Sequence, residues 1–168
     1  CRTDTEAWYY CYSFSPEVMR EWTWRDRYPS QPEMLAYLQF VADRLDLRRD
    51  IRFGTEVEQA VYDEDAGRWT LRTADGSTYT CTYFITAAGI LSAPYRPPFP
   101  GLESFRGEHY TTGRWPSDVG VGFEGRRVAI IGTGATGVQA LPTIAQTAEH
   151  VTVFQRTATY VIPSRNHP

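Results

Sequence analysis

Three glycines in one short stretch have the spacing of a turn that binds phosphate groups. Gly132, Gly134 and Gly137 form a GxGxxG motif directly after an apolar run. In such a turn the first glycine permits a tight bend, the second lets the backbone approach a pyrophosphate, and the third lets a helix pack close to the strand. The helix N-terminus then offers free N–H groups to the phosphates. The predicted contacts are Gly132, Thr133, Gly134, Ala135, Thr136 and Gly137.

A basic side chain stands where a dinucleotide-binding fold contacts the ribose. Arg156 and Thr157 follow the glycine motif by roughly 20 residues. A carboxylate there would bind a free 2′-hydroxyl and repel a 2′-phosphate, whereas an arginine can form a charge-assisted pair with that phosphate. The sequence therefore favours NADPH over NADH. The alternative is a solvated arginine at the end of a strand.

The residues around the motif have the pattern of a βαβ unit. The run 127–131 lacks polar alternation, which is typical of a strand buried on both faces of a parallel sheet. We predict a helix over 138–148 and a second strand over 151–154. Because this context follows the glycine motif, a dinucleotide-binding turn is a better interpretation than an ordinary glycine turn.

Upstream of this unit the sequence predicts two helices and an antiparallel meander. A short helix over 16–21 follows the capping residue Ser15, and a longer helix begins at the capping box 30–33 and runs to about residue 47. Three later stretches alternate polar and apolar residues between Asp- and Gly-containing turns. The predicted strands are 56–62, 68–73 and 77–83, and the last continues into an apolar stretch, 84–89, which we expect to enter a buried sheet.

The order of these elements indicates an α/β protein with two nucleotide-binding domains in tandem. We assign 1–90 to the C-terminal part of the first domain, 91–125 to an interdomain linker and 126–168 to the start of the NADPH-binding Rossmann domain. The phosphate-binding motif of the first domain would then precede Cys1. We accordingly interpret the chain as an internal segment of a longer protein.

The composition argues against several classes of function. A formal net charge of −3 gives no indication of a nucleic acid or an anionic membrane as partner. Cys1, Cys11 and Cys81 include no CxxC pair, which argues against a disulfide framework, a zinc site or a dithiol redox centre, so no metal is predicted. No stretch approaches the ~20 apolar residues of a membrane span. We expect a cytoplasmic location and leave the oligomeric state open.

The segment between the two predicted domains resembles a family fingerprint. Phe105, Gly107, Trp115 and Pro116 match four of the five fixed positions of FxGxxxHxxxW(P/D), the fingerprint of Baeyer–Villiger monooxygenases, and Thr111 replaces its histidine. His109 lies two residues too early to substitute. The resemblance covers essentially the whole chain and is greatest to the phenylacetone monooxygenase branch. Other matching stretches are 2–4, 10–15, 88–94 and 154–157.

The resemblance implies an enzyme with FAD in the first Rossmann-like domain and NADPH in the second. It would use O2 to convert a small-molecule ketone into an ester or lactone through a C4a-peroxyflavin. Asp4 matches the family aspartate that holds a catalytic arginine, which should lie beyond Pro168. Arg2, Thr3 and Asp4 are expected at the cofactors. By the same resemblance Tyr10, Ile90 and Leu91 are expected near the flavin or the substrate.

Three alternatives remain open. A flavin monooxygenase that oxidises nitrogen or sulfur would share both nucleotide folds, although Trp115-Pro116 argues against it. A disulfide-type flavin reductase needs a redox-active cysteine pair, which this sequence lacks. The isolated segment could also be inactive, because it lacks the phosphate loop for the flavin and the catalytic arginine. With Thr111 in place of histidine, we expect activity with altered coupling between NADPH and oxygen transfer.

Overall fold

The computed structural model describes residues 1–89, 91–116 and 120–166. The chain divides into two compact units, one made of Cys1–Asp46 with Gly107–Pro168 and the other of Leu47–Arg106. These bounds differ from the three predicted segments, because the start of the chain packs with its last part. The assignment of those segments to particular cofactors stays a prediction. No helix in the described ranges is both long and apolar enough to cross a membrane.

The start of the first unit folds around a small aromatic-rich core. Helix α1 (Pro16–Glu21) follows Ser15, whose hydroxyl accepts the N–H of Val18 at 3.4 Å, as the predicted cap requires. Helix α2 (Gln31–Arg44) ends a turn earlier than predicted. The two helices bury a shared apolar cluster, which consists of Val18, Tyr37 and Val41 with the partly buried Trp22, Trp24, Phe40 and Leu45.

The predicted capping box at the start of α2 does not form. Ser30 makes no side-chain hydrogen bond to the helix, and the Glu33 carboxylate accepts the backbone N–H of Arg25 at 2.6 Å instead. Ser30 pairs with Arg2 in an isolated antiparallel bridge. The Glu33 carboxylate that a local cap would use is therefore engaged in a tertiary hydrogen bond.

The second unit contains the predicted antiparallel meander. Strands β1 (Val57–Asp63), β2 (Arg68–Thr73) and β3 (Thr78–Cys81) pair in the order β1-β2-β3. The turns are closed by Asp63 and Asp75, which accept nearby backbone N–H groups at 2.9–3.0 Å. The predicted burial of 84–89 is wrong for the described residues: they pair with no strand there, and Ile85 is 85% exposed.

The last part of the first unit is the predicted βαβ unit. Strands β4 (Arg127–Ile131) and β5 (His150–Phe154) run parallel, with Arg127 opposite His150 and Ile131 opposite Phe154. Helix α3 (Ala135–Ala145) connects them and starts three residues before the predicted position, because it begins directly at the glycine turn. The α/β fold class is thereby confirmed. Parallel pairing places the carboxyl ends of both strands at one edge, where α/β proteins bind ligands.

Candidate dinucleotide-binding site

The turn between β4 and α3 has the geometry that a phosphate-binding turn requires. Gly132 has a φ of +104°, which favours glycine, and its N–H donates to the Phe154 carbonyl at 2.8 Å. A Cβ on Gly137 would lie 2.6 Å from the Gly132 carbonyl oxygen, so only glycine allows the helix to approach this closely. Gly134 faces open space, with no atom within 4 Å of its would-be Cβ. A phosphate group can therefore reach this backbone.

The N-terminus of α3 supplies hydrogen-bond donors at the same place. The first intrahelical bond after the turn is from the Val138 N–H to the Gly134 carbonyl, at 3.0 Å. By helix geometry, the N–H groups of Ala135, Thr136 and Gly137 have no acceptor within the helix. With the positive end of the helix dipole, they favour an anion beside the turn.

Arg156 and Thr157 lie just after the end of β5 and are exposed. Because β4 and β5 are parallel, this end of β5 is beside the glycine turn. The following segment also reaches the turn, since the hydroxyls of Thr133 and Thr159 are 3.3 Å apart. In the described part of the chain Arg156 has no ion-pair partner. Its guanidinium is therefore available for a ligand anion, and the pairing with a 2′-phosphate stays a prediction.

The segment of Arg2, Thr3 and Asp4 is held against the same unit. The Arg2 guanidinium donates to Asp26 at 2.5 Å and to the Tyr28 carbonyl at 3.0 Å. Both hydrogen bonds use one terminal nitrogen of the guanidinium, so its remaining N–H donors can still contact a cofactor. The Thr3 hydroxyl donates to the Thr5 carbonyl at 2.9 Å. Asp4 is exposed and has no hydrogen-bond partner among the described residues, so its carboxylate is free to hold a cation.

The predicted flavin-facing residues are only partly placed. Tyr10 ends a 3-10 helix, Ala7–Tyr10, and is half-buried. Leu91 belongs to the other unit and is exposed. Ile90 lies outside the described residues. The roles of these three residues stay predictions.

The fingerprint segment forms a short turn with an aromatic cluster. Trp115 follows the 3-10 helix Thr112–Arg114, and its ring lies 5.5 Å from that of Tyr110 and 6.2 Å from that of Phe123. Thr111 is half-buried at the start of this turn, and its carbonyl accepts the Arg114 N–H at 2.8 Å. The side chain at position 111 makes no capping bond, so it does not hold the turn together.

Sequence reasoning missed a side chain that joins two parts of this site. Gln139, on α3, accepts the Arg2 N–H and donates to the Arg2 carbonyl, each at 3.0 Å. Asn166 makes a comparable pair of contacts with Tyr28, at 2.7 and 3.5 Å. The partners are more than 130 residues apart in each case. No periodicity or short motif could have indicated such pairs.

A family model described as pyridine nucleotide-disulphide oxidoreductase matches residues 10–166. Among curated proteins, the chain is 48% identical to a Baeyer-Villiger monooxygenase of Pseudooceanicola batsensis, covering 99% of the chain and 30% of that protein. It is 47% identical to an acetone monooxygenase (methyl acetate-forming) of Gordonia sp., covering 98% and 31%. It is also 46% identical to phenazine N-monooxygenase PhzNO1 of Lysobacter antibioticus, covering 97% and 30%.

The solved structures that the chain resembles include monooxygenases as well. A steroid monooxygenase bound to NADP matches the whole chain with a TM-score of 0.84 and 52% identity, and the chain covers 32% of it. A complex of OTEMO with FAD and NADP also has a TM-score of 0.84, at 43% identity and 32% coverage. The chain thus spans about 30% of the length of the relatives that it matches.

Proposed function

Because the chain belongs to the pyridine nucleotide-disulphide oxidoreductase family, we propose that it forms the NADPH-binding part of an FAD-dependent Baeyer–Villiger monooxygenase. This enzyme converts a small-molecule ketone and O2 into an ester or lactone in the cytoplasm. The support comes from the similarity to monooxygenases named for ketone oxidation and from the fingerprint residues Phe105, Gly107, Trp115 and Pro116.

One observation supports NADPH binding above all others, namely the close approach of Gly137 to Gly132. The space that a Cβ at position 137 would fill is occupied by the turn itself, and Gly134 leaves open space above it. Arg156 lies at the same sheet edge without an ion-pair partner in the described ranges. The residues therefore fit a pyrophosphate at the turn and a 2′-phosphate at the guanidinium.

In this proposal the bound cofactors supply hydride and activate O2, and the chain binds and orients them. The N–H groups of Ala135, Thr136 and Gly137 bind the pyrophosphate, with Gly132, Thr133 and Gly134 forming the turn. Arg156 and Thr157 select the 2′-phosphorylated cofactor. A dinucleotide held at both points has few orientations left, which aligns its reactive ring for transfer.

The carboxylate of Asp4 orients the catalytic arginine expected beyond Pro168. A guanidinium held in this way stabilises the negative charge that develops on the ketone oxygen. The exposure of Asp4 and its lack of a partner in the described ranges support this role. Arg2, Thr3 and Tyr10 are proposed to contact the flavin. The described residues contain one phosphate turn, at 132–137, so they account for the nicotinamide nucleotide and not for the flavin pyrophosphate.

A second candidate function is nitrogen oxygenation. The observation that favours it is the 46% identity to a protein named phenazine N-monooxygenase. The two reactions differ in what the oxygen attacks, because a ketone carbonyl is electrophilic and a ring nitrogen is nucleophilic. Both would require the same NADPH site.

The test uses the intact protein, purified with its natural cofactors. We expect a yellow preparation that oxidises NADPH faster than NADH when a cyclic or linear ketone is added, with one ester or lactone formed per NADPH. Thioethers and aromatic N-heterocycles serve as competing substrates. Turnover of the N-heterocycle alone would replace the first candidate by the second. A colourless protein without preference for NADPH would refute both.

A further inference from the structure

The side chain of Gln139 forms a two-point contact with the backbone of Arg2. Its Oε1 accepts the Arg2 N–H at 3.0 Å, and its Nε2 donates to the Arg2 carbonyl at 3.0 Å. A carboxamide has a donor and an acceptor on one planar group, and so it can satisfy both backbone groups of a residue as a neighbouring strand would. Of the common side chains, only those of Asn and Gln can do this.

The other edge of the Arg2 segment is held independently. Arg2 pairs with Ser30 in an antiparallel bridge, and the Thr3 N–H donates to the Pro29 carbonyl at 3.0 Å. The segment would therefore keep its place beside the start of α2 if Gln139 were lost. What would be lost is its attachment to α3.

This attachment connects the two groups of predicted cofactor residues. Gln139 lies two residues after Gly137 on the helix that begins at the phosphate turn, and Arg2 lies two residues before Asp4. Gln139 lies in the first part of α3, before the internal Pro142, so only a few helical residues separate it from the turn. The contact between Gln139 and Arg2 thus fixes where Asp4 lies relative to the turn.

A second carboxamide strengthens the same junction. Asn166 Oδ1 accepts the Tyr28 N–H at 2.7 Å, and the Tyr28 carbonyl also accepts from the Arg2 guanidinium at 3.0 Å. The Gln139–Arg2 and Asn166–Tyr28 contacts both join the 107–168 part of the first unit to its 1–46 part. The same type of contact, in which a carboxamide bonds both backbone groups of one residue, therefore occurs at Arg2 and at Tyr28.

We infer that Gln139 is a positioning residue that holds the Arg2–Asp4 segment in register with the phosphate turn. The inference rests on the proposed function, because register matters only if the turn and Asp4 serve one reaction. Gln139 would not contact the cofactor itself. Its loss should leave NADPH affinity unchanged and make oxygen transfer less well coupled to NADPH oxidation.

The experiment compares two substitutions in the intact protein with a control on the same helix. Gln139→Met keeps the length of the side chain and removes both hydrogen-bonding groups, whereas Gln139→Glu keeps an acceptor for the Arg2 N–H. Gln146→Met changes an exposed glutamine at the C-terminal end of α3. Hydrogen exchange of the peptide covering 1–5 is measured without added cofactor, followed by NADP+ titration and the hydrogen peroxide formed per NADPH.

For Gln139→Met we expect exchange in 1–5 to accelerate about tenfold, as the loss of one to two net hydrogen bonds would cause. NADP+ affinity should change less than about twofold, and peroxide per NADPH should rise severalfold. Gln139→Glu should lie between this variant and the wild type, and Gln146→Met should match the wild type.

Three results would overturn the inference. Unchanged exchange in 1–5 would mean that the contact does not hold the segment. A loss of NADP+ affinity would make Gln139 a cofactor ligand instead. Faster exchange with unchanged peroxide yield would limit the contact to the fold. If the wild-type protein bound neither NADP+ nor FAD, the proposed function would be wrong. The exchange measured without cofactor would still show whether Gln139 holds the Arg2 segment, so the two failures can be told apart.

Discussion

Replacement of Gly137 by alanine tests the phosphate turn most directly, because two opposing effects can be compared. Alanine in a helix is ordinarily more stable than glycine by about 0.5–1 kcal/mol. Here the added Cβ would lie 2.6 Å from the Gly132 carbonyl oxygen, a backbone atom that cannot rotate away. Overpacking of this kind costs about 1–3 kcal/mol. We therefore expect a net destabilisation on the order of 1 kcal/mol, with the helix displaced from the turn.

Two other glycines make this prediction specific. Gly134→Ala adds a Cβ to open space, so the fold should be nearly as stable as the wild type. The new methyl group would occupy the place proposed for the pyrophosphate, and NADP+ affinity should fall about 10- to 100-fold. Gly122→Ala, which also meets no atom within 4 Å, should change neither property.

The assay combines urea unfolding of the intact protein with titration of NADP+, monitored by tryptophan fluorescence. Gly137→Ala should lower both stability and affinity, and Gly134→Ala should lower affinity alone. If Gly137→Ala were as stable as the wild type and bound NADP+ equally well, the close contact between helix and turn would not exist. If Gly134→Ala bound NADP+ normally, the pyrophosphate would lie elsewhere.

Three further predictions follow from the same structure. Arg156→Ala should weaken NADP+ binding about 10- to 100-fold in equilibrium titrations and leave NAD+ binding unchanged. The control Arg20→Ala, on α1, should change the binding of neither nucleotide. Equal losses for both nucleotides would contradict a 2′-phosphate contact. Thr111→His should change the peroxide formed per NADPH without changing NADP+ affinity, and an identical peroxide yield would dismiss a coupling role for this position. Hydrogen bonds from Thr73 and then from Ser77 lower the pKa of Asp75, so the carboxylate stabilises the fold above its unfolded-state pKa, and this effect is lost as the pH falls through its folded-state pKa. Asp75→Asn should therefore be less stable than the wild type at neutral pH and equally stable in acid. A difference in unfolding midpoints that does not depend on pH would contradict this prediction.

The elements that the sequence predicted well are those specified by neighbouring residues. The meander follows from polar alternation and from turns closed by Asp63 and Asp75. The βαβ unit follows from an apolar run and three spaced glycines, and it is the part of the candidate site that could be anticipated.

The errors arise where distant residues decide the outcome. Glu33 has the local pattern of a capping box, but its carboxylate accepts a hydrogen bond from the N–H of Arg25 and not from the start of its own helix. Residues 84–89 read as a buried strand, yet in the described ranges they have no strand to pair with. Gln139 gives no signal in the sequence, because its partner is 137 residues away.

That distance has a consequence for how the protein is made. During synthesis, at about 5–20 residues per second, the Arg2 segment leaves the ribosome roughly 7 to 27 seconds before Gln139 does. In that interval the 47–106 unit, whose contacts are local, can complete its own folding. Residues 1–46 can form their own apolar cluster in that interval, but Arg2 and Tyr28 lack their contacts with Gln139 and Asn166 until those residues are made. Chaperone capture is expected to concentrate on this part of the chain.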